Sequence, residues 1–291
     1  MTPLVLDTIA GMRAFSAQVR AAGETLGFVP TMGALHDGHA TLIERARAGA
    51  HRVVVSIFVN PLQFDRADDL ARYPRTMDDD ARLCARLGVD AIFAPSAAEM
   101  YPRPPACTVT VGPLGAHLCG AHRPGHFDGV ATVVAKLFGI VTPHRAWFGE
   151  KDAQQLAIIR RLVQDLDIPV DIVGVPTVRE ADGLAMSSRN RHLSGTERVE
   201  ALALCRALDS VARQVAAGAT DAAAIRSTAA ATIPSSPVLR LEYLEIVDPD
   251  DLDPVTTIST RVLVAGALWV GGTRLIDNLT ITPPEAGSSH A

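Results

Sequence analysis

The sequence predicts an α/β fold, a doubly wound parallel sheet followed by a smaller α+β domain. Three observations carry that prediction. Apolar runs of strand length alternate with stretches of helical periodicity up to about residue 177. One of these runs, "RVVVSIFVN" (52–60), reads as a continuous β-branched run, as strands covered on both faces do. Beyond about Val178 the order changes to two alanine-rich helical stretches and then strands. Helical connections between strands make right-handed βαβ units, so the first region is read as Rossmann-like.

The elements follow in order. Asp7 or Thr8 can cap a first helix in which Ile9, Met12, Phe15 and Val19 keep helical spacing, ending near Gly23. "TLGFVP" (25–30) is a short buried strand. A glycine- and histidine-bearing loop follows, then "ATLIERARAGA" (40–50), a helix with Leu42, Ile43 and Ala46 on one face. After the β-branched strand comes "RTMDDDARLCARLGV" (75–89), whose acidic start suits the positive end of a helix dipole. "DAIFAPS" is a strand, "GVATVVAKLFGIV" a helix, "RAWFG" a strand, "DAQQLAIIRRLVQDL" a helix and "DIVGVPTV" a strand. The second region holds helices over Gly195–Ala217 and Asp221–Thr232. The strands "LRLEYLEIVD" and "RVLVAGALWVGGTRLIDNLTI" follow, with Gly271-Gly272 at a hairpin turn. The expected organisation is residues 1–177, residues 178–283 as a lid-like domain, and a disordered tail over 284–291.

Composition bounds the function. A formal net charge of −5, from 27 basic and 32 acidic residues, argues against a general nucleic-acid binder but leaves local phosphate pockets open. Cys84, Cys107, Cys119 and Cys205 form no C-x-x-C pair and read as free thiols of a reducing compartment. The N-terminus carries no basic, apolar leader pattern, and no window approaches the roughly 18 consecutive apolar residues of a membrane span. A soluble cytoplasmic protein without membrane partners is expected.

Four stretches carry chemistry. "VPTMGALHDGH" (29–39) joins a strand to a helix N-terminus, where unpaired amides and the helix dipole suit an anion. His36 and His39 lie three apart and project to one side, so they fit either a turn with two capping histidines or donors to a phosphate. No third ligand of matching spacing favours zinc. The loop is neither a Walker A motif nor a G-x-G-x-x-G fingerprint. "WFGEKDAQQL" (147–156) sits at a second strand-to-helix junction, where open α/β sheets place ligands. There Lys151 can reach a phosphate and Asp152 a ribose, while Gln154 and Gln155 open the helix; a solvated turn is the alternative. "GLAMSSRN" (183–190) offers Ser187, Ser188 and Arg189 as a loop clamp on polyphosphate, or as a plain surface loop. "SIFVNPLQF" (56–64) presents Asn60 and Gln63 at a strand exit, where amides would read a small polar substrate.

Together "PTMGALHDGH", "SIFVNPLQF", "YPRT", "FGEKDAQQL" and "VREADGLAMSSRN" resemble, in order and spacing, the pantothenate synthetase (pantoate–β-alanine ligase) family. The first loop looks like that family's version of the HIGH motif of a nucleotidyltransferase superfamily, and Met186–Arg189 like its KMSKS-type loop. The resemblance implies a two-step amide ligation. Pantoate carboxylate attacks the α-phosphate of ATP, held with Mg2+, to give pantoyl adenylate and pyrophosphate; β-alanine then displaces AMP. It implies ATP binding by Met32, Gly33, His36, His39, Gly149, Lys151, Asp152, Val178, Met186, Ser187, Ser188 and Arg189, with His39 as proton donor. His36, His39, Lys151 and Arg189 become the catalytic set, and Gln63, Gln155 and Asn60 hold pantoate and β-alanine. Asp79 or Asp80 is the expected magnesium ligand, or else only an acidic helix start. A homodimer is implied, with "VVVSIFVN" a contributor to its interface. Ala153 departs from the tyrosine of many relatives but leaves Lys151, Asp152 and Gln155 in place.

Two rivals share the motifs. A nucleotidylyltransferase with a phosphorylated acceptor would call for cations where Gln63 and Gln155 stand. A non-catalytic nucleotide sensor would have no need of His36, His39, Lys151 and Arg189.

Overall fold

The structure, a computed structural model, describes residues 2–64 and 67–284. The expectation of a disordered tail therefore falls, apart from Pro284, outside the described residues. Nine strands are described: β1 (Leu4–Leu6), β2 (Leu26–Thr31), β3 (Arg52–Ile57), β4 (Ala91–Phe93), β5 (Arg145–Gly149), β6 (Asp171–Val175), β7 (Leu239–Val247), β8 (Val262–Val270) and β9 (Thr273–Ile281). Between them run α1 (Ile9–Ala21), α2 (Asp37–Gly49), α3 (Ala67–Arg72), α4 (Met77–Arg86), α5 (Ala97–Met100), α6 (Leu118–His122), α7 (His126–Val141), α8 (Ala153–Asp165), α9 (Gly195–Ala216) and α10 (Ala222–Ala230). Among the described residues no helix is long and apolar enough to cross a membrane.

The chain groups into two compact units. One takes the residues up to Ala116, Gly120–Glu150 and Ile158–Val178; the other takes His117–Cys119, Lys151–Ala157 and the residues from Arg179 onward.

In the first unit six parallel strands stand in the order β1-β4-β3-β2-β5-β6. From β2 the chain winds outward through β3 and β4, then returns to place β5 on the other side of β2. This is a topological switch point between β2 and β5, and ligands of open α/β sheets bind outside the carboxyl ends of strands at such a point. The carboxyl end of β2 leads into the histidine loop, and that of β5 into Gly149. One layer of the core packs Leu42, Ile43 and Ala46 of α2 against Val29, Val53, Val55, Ile92 and Trp147. Thr8 caps α1, its side chain accepting from Gly11 N–H. Strand β1 was not anticipated: three residues, with Leu4 and Val5 each 52% exposed, carry neither length nor a buried run.

One expectation is corrected here. Strand β3 is internal, between β2 and β4, and Val53, Val54, Val55 and Ser56 have no exposed surface. A strand buried on both faces and paired on both edges has no surface to offer. Of the expected "VVVSIFVN" contributor, residues 53–56 are therefore excluded, and the half-buried Ile57 and Val59 are what remains accessible.

The second unit is α+β. β7, β8 and β9 form an antiparallel sheet, and Gly271-Gly272 connect β8 to β9 with Gly271 at φ +54°. Buried Ala207, Leu208 and Val211 of α9 and Ile225 of α10 pack on Leu244, Ile246 and Val264. Ser194 and Glu197 close a capping box at the start of α9.

Candidate active site

The histidine loop is built from the inside. Gly33 (φ +83°) and Ala34 (φ +51°) take successive left-handed conformations, the second of which an alanine resists. Asp80, only 2% exposed at the start of α4, pins them: its two carboxylate oxygens accept from the Ala34 and Leu35 amides at 2.9 and 2.8 Å. Thr76 Oγ1 adds a third donor to the same carboxylate at 3.2 Å. The helix that follows is capped by the histidines themselves. His36 Nδ1 accepts from Gly38 N–H at 3.1 Å, and His39 Nδ1 accepts from His36 N–H at 3.3 Å, a capping box in which imidazoles replace the usual hydroxyl and carboxylate. Their rings lie 4.1 Å apart, centroid to centroid. An Nδ1 that accepts carries no proton, so each neutral ring is the Nε2–H tautomer, with Nε2 as its donor.

The structure shows the capping arrangement of the histidines, and it differs from the expected row of outward amides. The amides of Gly33, Ala34, Leu35, His36 and Gly38 are taken by Thr31, Asp80, His39 and His36 side chains. The anion-binding capacity of the loop lies in side chains, not in the outward amides that the sequence suggested.

The magnesium expectation is also corrected. Asp80 spends both oxygens on the loop, while Asp79 has a 71% exposed side chain and pairs with Arg82. Among the described residues no three His, Cys, Asp or Glu side chains gather as a metal site. The pair does not fit a magnesium ligand set.

Asn60 and Gln63 stand at the exit of β3, 1% and 9% exposed. Asn60 Nδ2 donates to Gln63 Oε1 at 3.1 Å and to the Gly129 carbonyl at 3.0 Å. Its Oδ1 accepts from Leu62 N–H at 3.3 Å and from the Tyr101 hydroxyl at 3.0 Å. That exhausts an amide with two donors and two lone pairs, so Asn60 orients Gln63 and has nothing left for a substrate. Gln63 Nε2 donates to Met32 Sδ at 3.1 Å. Its carbonyl accepts from His126 Nδ1 at 2.7 Å, and Arg123 Nη1 meets His126 Nε2 at 3.1 Å. Burial pushes the Tyr101 phenol up to about 12, so it stays a donor throughout the physiological range.

Tyr101, Arg123, His126 and Gly129 were missed in the sequence, because they lie 41 to 69 residues from the amides they serve or abut. The signal available was "RPGHFDGV" (123–130), polar residues opening an apolar helix. At Gly129 helix α7 meets the turn so closely that a Cβ would stand 2.2 Å from the Leu62 carbonyl oxygen. Gly129→Ala is expected to displace that turn and cost about 1–3 kcal/mol, as overpacking does. Thermal unfolding checks this, and an unchanged unfolding temperature would contradict it. A cavity of about 300 Å³ lined by Tyr101, Arg103, Thr132 and Lys136 contains none of the residues given a catalytic or binding role from sequence.

The second unit carries the other motif residues. Glu150–Asp152 form one short turn, with Lys151 half-buried and Asp152 exposed. Gln154 is buried and donates to the His117 carbonyl at 2.7 Å, which leaves half-buried Gln155 as the amide at the surface of this segment. Ser187 caps a short turn over Ser188–His192, its hydroxyl accepting from Arg189 N–H. Asn190 fastens the inner side of that turn to Glu180 and to the Ala185 carbonyl. In the first unit, Gly149 ends β5 and Val178 lies three residues beyond β6. Met32, Gly33, His36, His39, Asn60 and Gln63 thus gather in the first unit, and Lys151, Asp152, Gln155 and Met186–Arg189 belong to the second.

A doubly wound sheet with a polar constellation at its switch point defines a ligand-binding α/β enzyme. Comparison with known proteins sharpens the class. The sequence pattern of the Pantoate-beta-alanine ligase family matches residues 4–280. The pantothenate synthetase of Heliobacterium modesticaldum is 52% identical over 95% of this chain and 99% of its own length. That of Geobacillus kaustophilus is 51% identical over 98% and 95%. The crystal structure of pantothenate synthetase from Thermus thermophilus superposes with a TM-score of 0.88 at 48% identity, covering 96% of this chain and all of that one. The pantoate-beta-alanine ligase of Francisella tularensis, complexed with beta-gamma ATP and beta-alanine, superposes at 0.74 with 32% identity over 95% and 97%. The chain belongs to the pantoate–β-alanine ligase family. Its reaction is the amide ligation of pantoate to β-alanine, a step of pantothenate biosynthesis.

Proposed function

We propose that ATP drives this ligation through pantoyl adenylate, with the chain's residues dividing the work as follows. The pantoate carboxylate, oriented by Gln63 and Gln155, attacks the α-phosphorus of ATP and expels pyrophosphate. The β-alanine amine then attacks the acyl carbon, and AMP leaves. A carboxylate is unreactive toward amines until one of its oxygens is made a good leaving group, and adenylation does this without an enzyme nucleophile. Catalysis is positioning and electrostatics. His36 and His39 donate from Nε2 to phosphate oxygens; Lys151, Ser187, Ser188 and Arg189 add charge and donors. Met32, Gly33, Gly149, Asp152 and Val178 shape the nucleotide site. Magnesium comes with the nucleotide's phosphates, and no carboxylate of this chain is assigned to it. Residues 178–283 act as a lid-like domain, and the chain works as a cytoplasmic homodimer; the family resemblance supports both.

The observation that carries the reading is the capping geometry of the histidine pair. Both Nδ1 atoms are committed to capping, which defines Nε2–H donors at the carboxyl end of β2. Francisella tularensis pantoate-beta-alanine ligase in complex with beta-gamma ATP and beta-alanine supports the choice of nucleotide and amine.

The test is incubation with ATP, Mg2+ and pantoate, with and without β-alanine, following pyrophosphate and AMP. Sustained AMP formation is expected only with both acids present. No pyrophosphate under any combination would contradict the reading.

A further inference from the structure

In the second unit a part-buried ion pair and the asparagine beside it root the two segments that carry the proposed phosphate-directed side chains. Asp277, 4% exposed on β9, is gripped by Arg179 through two bonds, Nη1 to Oδ2 at 2.7 Å and Nη2 to Oδ1 at 3.0 Å. Neighbouring Asn278, 8% exposed, donates from Nδ2 to the Lys151 carbonyl at 2.7 Å. Successive strand residues project to opposite faces, so positions 277 and 278 reach two different segments from one point of the sheet.

Arg179 begins the second of those segments. It bridges antiparallel to Ala185, and its Nη1 also donates to the Gly183 carbonyl at 3.0 Å. Glu180 and Leu184 close the same hairpin, Glu180 N–H donating to the Leu184 carbonyl at 2.9 Å. The chain leaving that hairpin is Met186–Arg189.

A carboxylate buried this deeply carries a desolvation cost that its ion pair at best offsets, so stability alone is a poor reason for it. Fixing two segments in one register is a better one. We propose that Arg179, Asp277 and Asn278 are positioning residues for the ligation: they hold the Lys151 turn and the Met186–Arg189 loop in one relation. The two cationic arms then meet the transferring phosphates together. The proposal rests on the reading that Lys151 and Arg189 act on the nucleotide.

A double-mutant cycle separates this role from a merely structural one. Rates of pyrophosphate release at saturating ATP and pantoate are measured for Lys151→Ala, Asn278→Ala and the double variant. Asn278→Ala is expected to lower kcat on the order of 10²-fold, the scale of a misplacement of about 1 Å, with the KM for pantoate unchanged. The double variant should be no slower than Lys151→Ala alone. Asn278→Asp, equal in shape but without the donor, is expected to show the same kcat loss and serves if the alanine variant does not fold. The same non-multiplying result is expected for Asp277→Asn against Arg189→Ala. A wild-type rate for Asn278→Asp or Asn278→Ala, or losses that multiply in either double variant, would overturn the proposal alone. A wild-type rate for Lys151→Ala would overturn the functional reading, and this proposal with it.

Discussion

His39→Ala is expected to lower kcat for pyrophosphate release by about 10²-fold or more, the scale of removing one preorganised donor to a transition-state charge. The imidazole has one role seen in the structure and a second proposed for it. Its Nδ1 accepts from the His36 amide, and its Nε2 carries the proton. Losing the cap costs about 1 kcal/mol of stability; losing the donor costs rate. His39→Glu separates them, because a carboxylate at the third helical position restores the capping box but supplies no proton donor. Unfolding temperature should recover in that variant while kcat stays low. A rate that returns with the cap would remove the phosphate role and leave His39 as a structural residue.

Asp80→Ala should be the most damaging single change outside the reacting groups. Two amides lose a charged acceptor, that of fully buried Ala34 among them, and each unsatisfied buried donor costs about 1–3 kcal/mol. The left-handed Ala34, at φ +51°, then has nothing to hold it. We expect a loss of about 2–4 kcal/mol in thermal or denaturant unfolding. Because the loop aims both histidines, kcat should fall by on the order of 10²-fold as well. The Mg2+ concentration giving half-maximal activity should not change. A raised Mg2+ requirement with normal stability would instead make Asp80 the metal ligand that the sequence suggested.

The parts of the fold legible in the sequence are those fixed by local pattern. The buried run of β3, the apolar periodicity of α7 and the Gly271-Gly272 hairpin each declare themselves within a dozen or so residues, because side-chain period and turn chemistry are local properties. The parts that were not legible depend on distant residues. Asp80 looked like a helix-start acid or a metal ligand; its partners lie 46 and 45 residues away, at Ala34 and Leu35. Asn60 looked like a substrate amide until Tyr101 and Gly129 took up its remaining valences. The histidine loop looked like an amide cradle, since sequence reveals that a helix start has unpaired N–H groups but not which side chains will meet them. Sequence placed Gln63 at a strand exit and His39 at a helix start; the groups that hold them were not legible.

The central claim is that the pantoate carboxylate itself attacks the α-phosphorus. It is tested most directly with pantoate labelled with ¹⁸O in the carboxylate, turned over to completion with ATP and β-alanine, and the products read by mass spectrometry. An acyl-adenylate route predicts one labelled oxygen in AMP and none in pyrophosphate or orthophosphate. Label in orthophosphate, with ADP formed in place of AMP, would contradict it.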